Sequence, residues 1–170
     1  MMTVYEIWGK VCSHQVTGLM YHFQFADMFY FLGFDNLGKA QECRYESESA
    51  ALRENHRFVL KYHNKVAMHK HAEGVDLIPS TWAKHVKSDV DKSTRKNQLA
   101  NVFDTWLAWE TQTRDLYSEM YLEAKKQHAI VDACRLKEML LDVEEELAHV
   151  RDSINKLKMH EYSTEAALSL

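Results

Sequence analysis

Four histidines, one glutamate inside an apolar stripe and one Glu-x-x-His pair are the side chains of this sequence whose types and spacing suit a common chemistry. His14 and His22 fall on the inward face of a first helical segment, and His56 and His63 on that of a second. Glu110 sits in a third segment among Phe103, Trp106 and Tyr117, and Glu146 with His149 forms the one Glu-x-x-His, in a fourth. Imidazole nitrogen combined with carboxylate oxygen is the donor set of zinc, iron and manganese. His22, His56, Glu110 and Glu146 are therefore the candidate ligands of a divalent ion in a helical core. A carboxylate among apolar side chains is costly unless it is paired, hydrogen-bonded or metal-bound.

Each of these residues has a plainer reading. Inward histidines serve as hydrogen-bonded core residues, here with Gln15, Tyr21, Tyr45 or Glu110 as partners. Arg114 follows Glu110 by one turn and can pair with it as an i, i+4 ion pair. Its guanidinium would then stand where a metal's charge should be, and the Tyr117 hydroxyl is a second candidate donor. In the fourth segment the apolar stripe runs through Val143, Leu147 and Val150. Relative to it Glu146 grazes the core edge, Glu144 the opposite edge, and His149 points toward solvent, so this acidic face reads as solvated. No serine or cysteine has a base at a telling spacing, and no glycine loop exists to hold phosphate. Trp8, Trp82, Trp106 and Trp109 read as core.

The elements that must position these residues are helices. Five glycines and one proline in 170 residues cannot supply the turns of a sandwich or barrel. A first helix is expected over 4–32, with Val4, Ile7, Val11, Gly18, Phe25, Phe29 and Leu32 on one face. The turn signal Gly33 to Gly38 ends it. A second helix is expected over 39–70, with Tyr45, Leu52, Val59, Leu60 and Ala67 inward, broken by the stretch from Glu73 to Ser80. A third starts near Asn97, with Leu99, Phe103, Trp106, Tyr117, Tyr121 and Ala124 inward and Leu107 at the edge. A fourth follows from Ile130, with Leu136, Leu140, Val143, Leu147, Val150, Ile154 and Leu157 in an unbroken heptad. The links between helices one and two and between three and four are short, which forces antiparallel neighbours. Roughly 25 residues join helices two and three, partly helical over 80–90 and packed down by Trp82 and Val86. A helix of 28 residues is about 42 Å long, and this link can return along it. The fold expected is all-α, an antiparallel four-helix bundle of up-down-down-up order with one long crossover, as a single domain over 1–162 with a tail at 163–170.

Composition narrows the setting. Hydrophobic residues are 46% and charged residues 27%, as in soluble globular chains, and the net charge of −4 carries no basic stripe for nucleic acid. Three cysteines without a CxxC fit buried free thiols in a reducing compartment. No apolar run reaches the 18 or so residues of a membrane helix, and the first residues meet Glu6 and polar side chains too early for a signal peptide to be expected. A cytoplasmic protein is expected, with a virion as the other setting left open. Helix one also carries Leu19, Met20, Phe23, Ala26, Tyr30 and Phe31 off its core stripe. An apolar helix of this kind is buried on two sides, either by self-association or by the crossover with Trp82.

The second half resembles ferritin and bacterioferritin. The run Phe103-Asp104-Thr105-Trp106-Leu107-Ala108-Trp109-Glu110 is similar to the family's third helix, where a leucine precedes an iron-binding glutamate. Leu140-Leu141-Asp142-Val143-Glu144-Glu145-Glu146-Leu147-Ala148-His149 is similar to the ligand region of its fourth. Gln15-Val16 and Asn36-Leu37-Gly38 resemble the first half more loosely, and the likeness in architecture covers about residues 10–158. The resemblance implies the up-down-down-up bundle, a homo-oligomer paired through helices one and two, and iron in the core. It also places a helix-one glutamate near Leu19 and a Glu-x-x-His near 52–55, and neither is present. His22 and His56 stand in their stead, 34 residues apart, near the family's spacing. The function expected is a divergent, self-associating ferritin-like protein that handles iron, or zinc or manganese, through a non-standard centre. Oxidation of the ion in the manner of a ferroxidase requires room for two ions. The alternative is a bundle without a working metal centre, serving as a structural or assembly subunit of a viral or cellular particle.

Overall fold

A computed structural model describes residues 2–68, 74–80, 82 and 90–170. Four long helices carry the chain: α1 (Val4–Leu32), α2 (Asp35–His63), α3 (Lys92–Lys126) and α4 (Ile130–Met159), followed by the short α5 (Thr164–Leu168). Among the described residues there is no strand. A capping box opens α1: the Thr3 hydroxyl accepts from the Glu6 N–H, and the Glu6 carboxylate accepts from the Thr3 N–H. Gly33, at φ 88°, closes it in the left-handed region that only glycine adopts freely. The first hairpin is tighter than expected, because α2 begins at Asp35, directly after Phe34. α2 also ends earlier than expected, at His63, where Asn64 turns left-handed at φ 51°; Ala67 beyond it is buried all the same. α3 starts five residues ahead of Asn97, since the Asp91 carboxylate caps the Thr94 N–H at 2.8 Å.

Side-chain pairings give the direction of every helix. Between α1 and α3, Phe29 meets Phe103, His22 meets Glu110 and His14 meets Thr113, so the two run antiparallel. Between α2 and α4, Arg44 meets Glu146, Arg135 meets Asn55 and His63 meets Asp132, again antiparallel. The hairpins make α1 antiparallel to α2 and α3 antiparallel to α4. It follows that α2 and α3 are parallel, which is the up-down-down-up bundle with one crossover. Of the segment expected to be helical at 80–90, Ser80 and Trp82 lie in a 3₁₀ turn; residues 81 and 83–89, Val86 included, lie outside the described residues. Gln24, buried in α1, grips the crossover, donating to the Val75 carbonyl and accepting from the Leu77 N–H. The tail is ordered too: Ala166 and Ala167 are buried, and the Ala167 carbonyl accepts from Asn36 Nδ2.

The core is split along the bundle axis. One apolar cluster gathers Phe25, Phe29, Phe103, Trp106, Val150 and Ile154, and the other Trp8, Val11, Val59, Met120, Leu136 and Leu147. Between them lies a band of buried polar side chains, Gln15, His22, Gln41, Asn55 and Glu110. Two expected core positions of α2, Tyr45 and Leu60, are exposed. The inward stripe runs instead through Leu37, Gln41, Asn55 and Val59, with Arg44, Glu48 and Leu52 half-buried on the same side. All four tryptophans are buried, as expected. The cysteines are free, but only Cys12 is buried, while Cys43 and Cys134 are exposed on the outer faces of α2 and α4. The second apolar face of α1 is narrower than its sequence suggests. Ala26 is buried and Phe31 stacks on Trp82 at 4.5 Å, which leaves Met20 and Phe23 exposed.

Candidate metal centre

The polar band opens into a cavity of about 240 Å³ lined by residues of all four long helices. α1 contributes Gln15 and His22, α2 Arg44 and Glu48, α3 Glu110 and Tyr117, and α4 Asp142 and Glu146. α1 and α3 form the floor, and the mouth faces the seam between α2 and α4, where Ser47 and Asp142 are exposed. That seam is the polar side of the bundle. Side chains bridge it: Arg44 to Glu146, Arg135 to Asn55 and Glu54, and His63 to Asp132.

His22 is held in one orientation. Its Nδ1 lies 2.8 Å from the Gln41 Oε1, an acceptor, so Nδ1 carries the proton and Nε2 keeps its lone pair. That lone pair faces Glu110, whose Oε1 is 3.8 Å away, too far for a hydrogen bond. Burial holds the His22 imidazole neutral, its pKa pushed down to about 4; Arg44 acts in the same direction and the Gln41 bond in the other. Glu110 is nearly as deeply buried and accepts from Trp106 Nε1 at 3.1 Å. Burial first, then the charges of Glu146 and Glu48, raise its pKa to about 8, while Trp106 and Arg44 oppose the rise. The Glu48 carboxyl is likewise raised, chiefly by burial and then by Glu146 and Asp142 against Arg44. The cavity thus collects more carboxylates than cations.

Of the four candidate ligands, three line the cavity and one does not. His22, Glu110 and Glu146 line the cavity; His56 is half-buried and outside its lining, because the turn of α2 that points inward there presents Asn55. Glu48, which the sequence reading passed over, is the acid that α2 supplies. Arg114 does not pair with Glu110: it donates to Asp115 from both Nε and Nη2, at 3.0 and 2.6 Å. The cation in the cavity is Arg44, ion-paired with Glu146 and lying 5.0 Å over the Trp106 ring. The signal for Gln41, Arg44 and Glu48 is the spacing of Leu37, Gln41, Arg44, Glu48, Leu52, Asn55 and Val59, a helical stripe whose middle is polar.

The remaining histidines have other work. His14 stacks on Trp109 at 4.2 Å and donates through Nε2 to the Thr113 hydroxyl, which itself donates to the Trp109 carbonyl. Tyr21 stacks on the opposite face of the same indole, also at 4.2 Å. Gly18 lies between these two rings along α1, and a Cβ there would stand 3.1 Å from the Trp109 ring. The mid-helix glycine is thus the slot for Trp109. His63 and the Trp8 indole N–H both bond the Asp132 carboxylate, each at 2.7 Å, in the first turn of α4. His149 is exposed, as expected, and touches the edge of Trp106.

Divalent metals fit this donor set in chemistry. An imidazole whose far N–H is fixed by a carbonyl is the usual arrangement of a metal-binding histidine, and the Glu146 Oε1 is buried without a hydrogen-bond partner. As the side chains stand, no three described His, Cys, Asp or Glu residues converge closely enough to hold an ion, with Glu146 engaged by Arg44.

No family model and no curated protein matches the sequence. Solved structures match its fold over nearly the whole chain. Two iron-soaked variants of PmFTN superpose with TM-scores of 0.77 and 0.76 at 9% and 10% identity, each over 98% of this chain and 96% of theirs. An open-pore ferritin from the hyperthermophilic archaeon Archaeoglobus fulgidus superposes with a TM-score of 0.75 at 16% identity, over 98% of this chain and 91% of its own. The fold is that of the ferritins.

Proposed function

We propose that this ferritin-like chain binds iron, or zinc or manganese in its place, in the cavity between its four helices. His22 and Glu110 are the primary donors, with Glu146 and Glu48 as further carboxylates. The observation that carries this reading is the Gln41–His22–Glu110 line, in which a carbonyl-fixed imidazole turns its free lone pair toward a buried carboxyl. Iron is favoured among the metals by the carboxylate-rich donor set with one nitrogen and by the iron-soaked structures that share the fold. Bound there, the ion supplies positive charge to a cavity that has an excess of acids; the chain's own part is to fix His22, to keep Glu110 out of bulk water and to present Glu146. Self-association through α1 and α2, where Met20, Phe23 and Tyr45 are exposed, belongs to the same reading, as does a cytoplasmic setting.

The rival reading, a bundle serving only as a structural or assembly subunit, is favoured by one feature, the Arg44–Glu146 pair inside the cavity. Elemental analysis of protein purified without chelator decides between them. We expect about one iron, zinc or manganese per chain, falling to background in His22→Gln and Glu110→Gln proteins that keep their helical content. Clearly substoichiometric content of every transition metal in the wild type sinks the metal reading.

A further inference from the structure

Arg44 lines the cavity together with Glu48, Glu110 and Glu146, at its mouth rather than its floor. It rises from α2, binds Glu146 of α4 across the seam and rests on the Trp106 indole, which in turn donates to Glu110. Glu146 is held by one oxygen only, and its other oxygen is buried and unpartnered. A buried carboxylate oxygen without a partner is under-satisfied, and a divalent cation in the cavity would supply the partner that Arg44 leaves out.

We infer that Arg44 is a tethered counter-ion that holds Glu146 while the cavity lacks a metal and gives it up when a divalent cation binds, so that Arg44 sets the affinity of the site. The inference rests on the proposed metal site. Its physical content is competition. Three of the carboxylates that a metal would use, Glu48, Glu110 and Glu146, now share one positive charge. Arg44 is partly exposed on the mouth side, its side chain retaining 28% of its accessibility, so it can swing outward without unpacking the core. The exchange adds one ion, releases one guanidinium and gives the proton of the Glu110 carboxyl to solvent, with no other covalent change.

The test is calorimetric titration of Mn²⁺ into the full metal-free chain, comparing wild type with Arg44→Met and Arg44→Lys. Met keeps the aliphatic stem against Trp106 but cannot pair with Glu146; Lys pairs more weakly than the planar guanidinium. We expect Mn²⁺ to bind the Met protein at least tenfold more tightly than wild type, with the Lys protein between them. If the Met protein does not fold, the Lys protein alone carries the test, with severalfold tighter binding expected. Equal or weaker binding in the variants overturns the counter-ion role and leaves the metal site standing. Binding by the Met protein but none by wild type also overturns it, since Arg44 is then a fixed substitute for the metal. Mn²⁺ binding by none of the three removes both this inference and the metal site it rests on.

Discussion

Glu110 and His22 are each forced by burial into the neutral form, and they therefore give the metal-free protein opposite pH dependences. For Glu110 the folded pKa of about 8 lies above the ordinary 4.5. Its contribution to stability is fully present below pH 4.5 and is lost as pH rises through 8, because only the folded state retains the proton in that window. For His22 the folded value of about 4 lies below the ordinary 6.5, so its contribution is present above pH 6.5 and is lost as pH falls toward 4. Between 4.5 and 6.5 the two oppose each other; from 6.5 to 8 Glu110 acts alone. Glu110→Gln copies the protonated acid and still accepts from Trp106. With chelator present, denaturant titrations should show this variant about equal to wild type near pH 4.5 and roughly 1–3 kcal/mol more stable near pH 8, at up to about 1.4 kcal/mol per pH unit. A difference that does not grow with pH would mean that Glu110 is ionised and paired. Both residues were legible in the sequence, since each is a polar side chain on a strongly apolar face. Gln41, Arg44 and Glu48 show only as the polar middle of a helical stripe bounded by Leu37, Leu52 and Val59, which a count of apolar positions alone does not pick up.

The helices divide by what joins them. α1 and α2, and likewise α3 and α4, pack as hairpins through apolar side chains, whereas α2 and α4 are linked by ion pairs and hydrogen bonds. α1 is legible in the sequence at both ends and α4 at its start, because their apolar stripes are continuous. The C-terminal end of α2 and the start of α3 differ from the expectation, because Asn64 and Asp91 fix them by backbone conformation and capping rather than by pattern. The outer face of the α1–α2 hairpin leaves Phe23, about half exposed, beside an exposed Tyr45, ring centroids 6.3 Å apart. If this face pairs two copies of the chain, wild type sediments above monomer mass at tens of micromolar. Phe23→Glu should then weaken association at least tenfold with little effect on the melting temperature. A wild type that is strictly monomeric at high concentration would exclude the interface.

At the scale of the whole molecule, one polar layer lies between two apolar clusters of the core. Two apolar clusters hold the ends of the bundle together, and the layer between them brings one donor-bearing side chain from each of four helices to a single cavity. The long crossover makes this possible, since it sets α2 parallel to α3 and antiparallel to α4, and so brings Glu48 and Glu146 to the level of Glu110. Topology of this kind was legible from the loop lengths alone. The identity of the α2 donor was not, because Asn55 and His56 differ by 100° around the helix, and a stripe of few apolar residues does not fix that rotation. The most direct test of the account is a crystal structure of the protein soaked in Mn²⁺ or Fe²⁺ with anomalous scattering recorded at the metal edge. The account predicts one peak in the cavity, about 2.0–2.3 Å from His22 Nε2 and from a Glu110 oxygen, with Arg44 no longer on Glu146. A cavity without a peak, and an Arg44–Glu146 pair still in place, would contradict it.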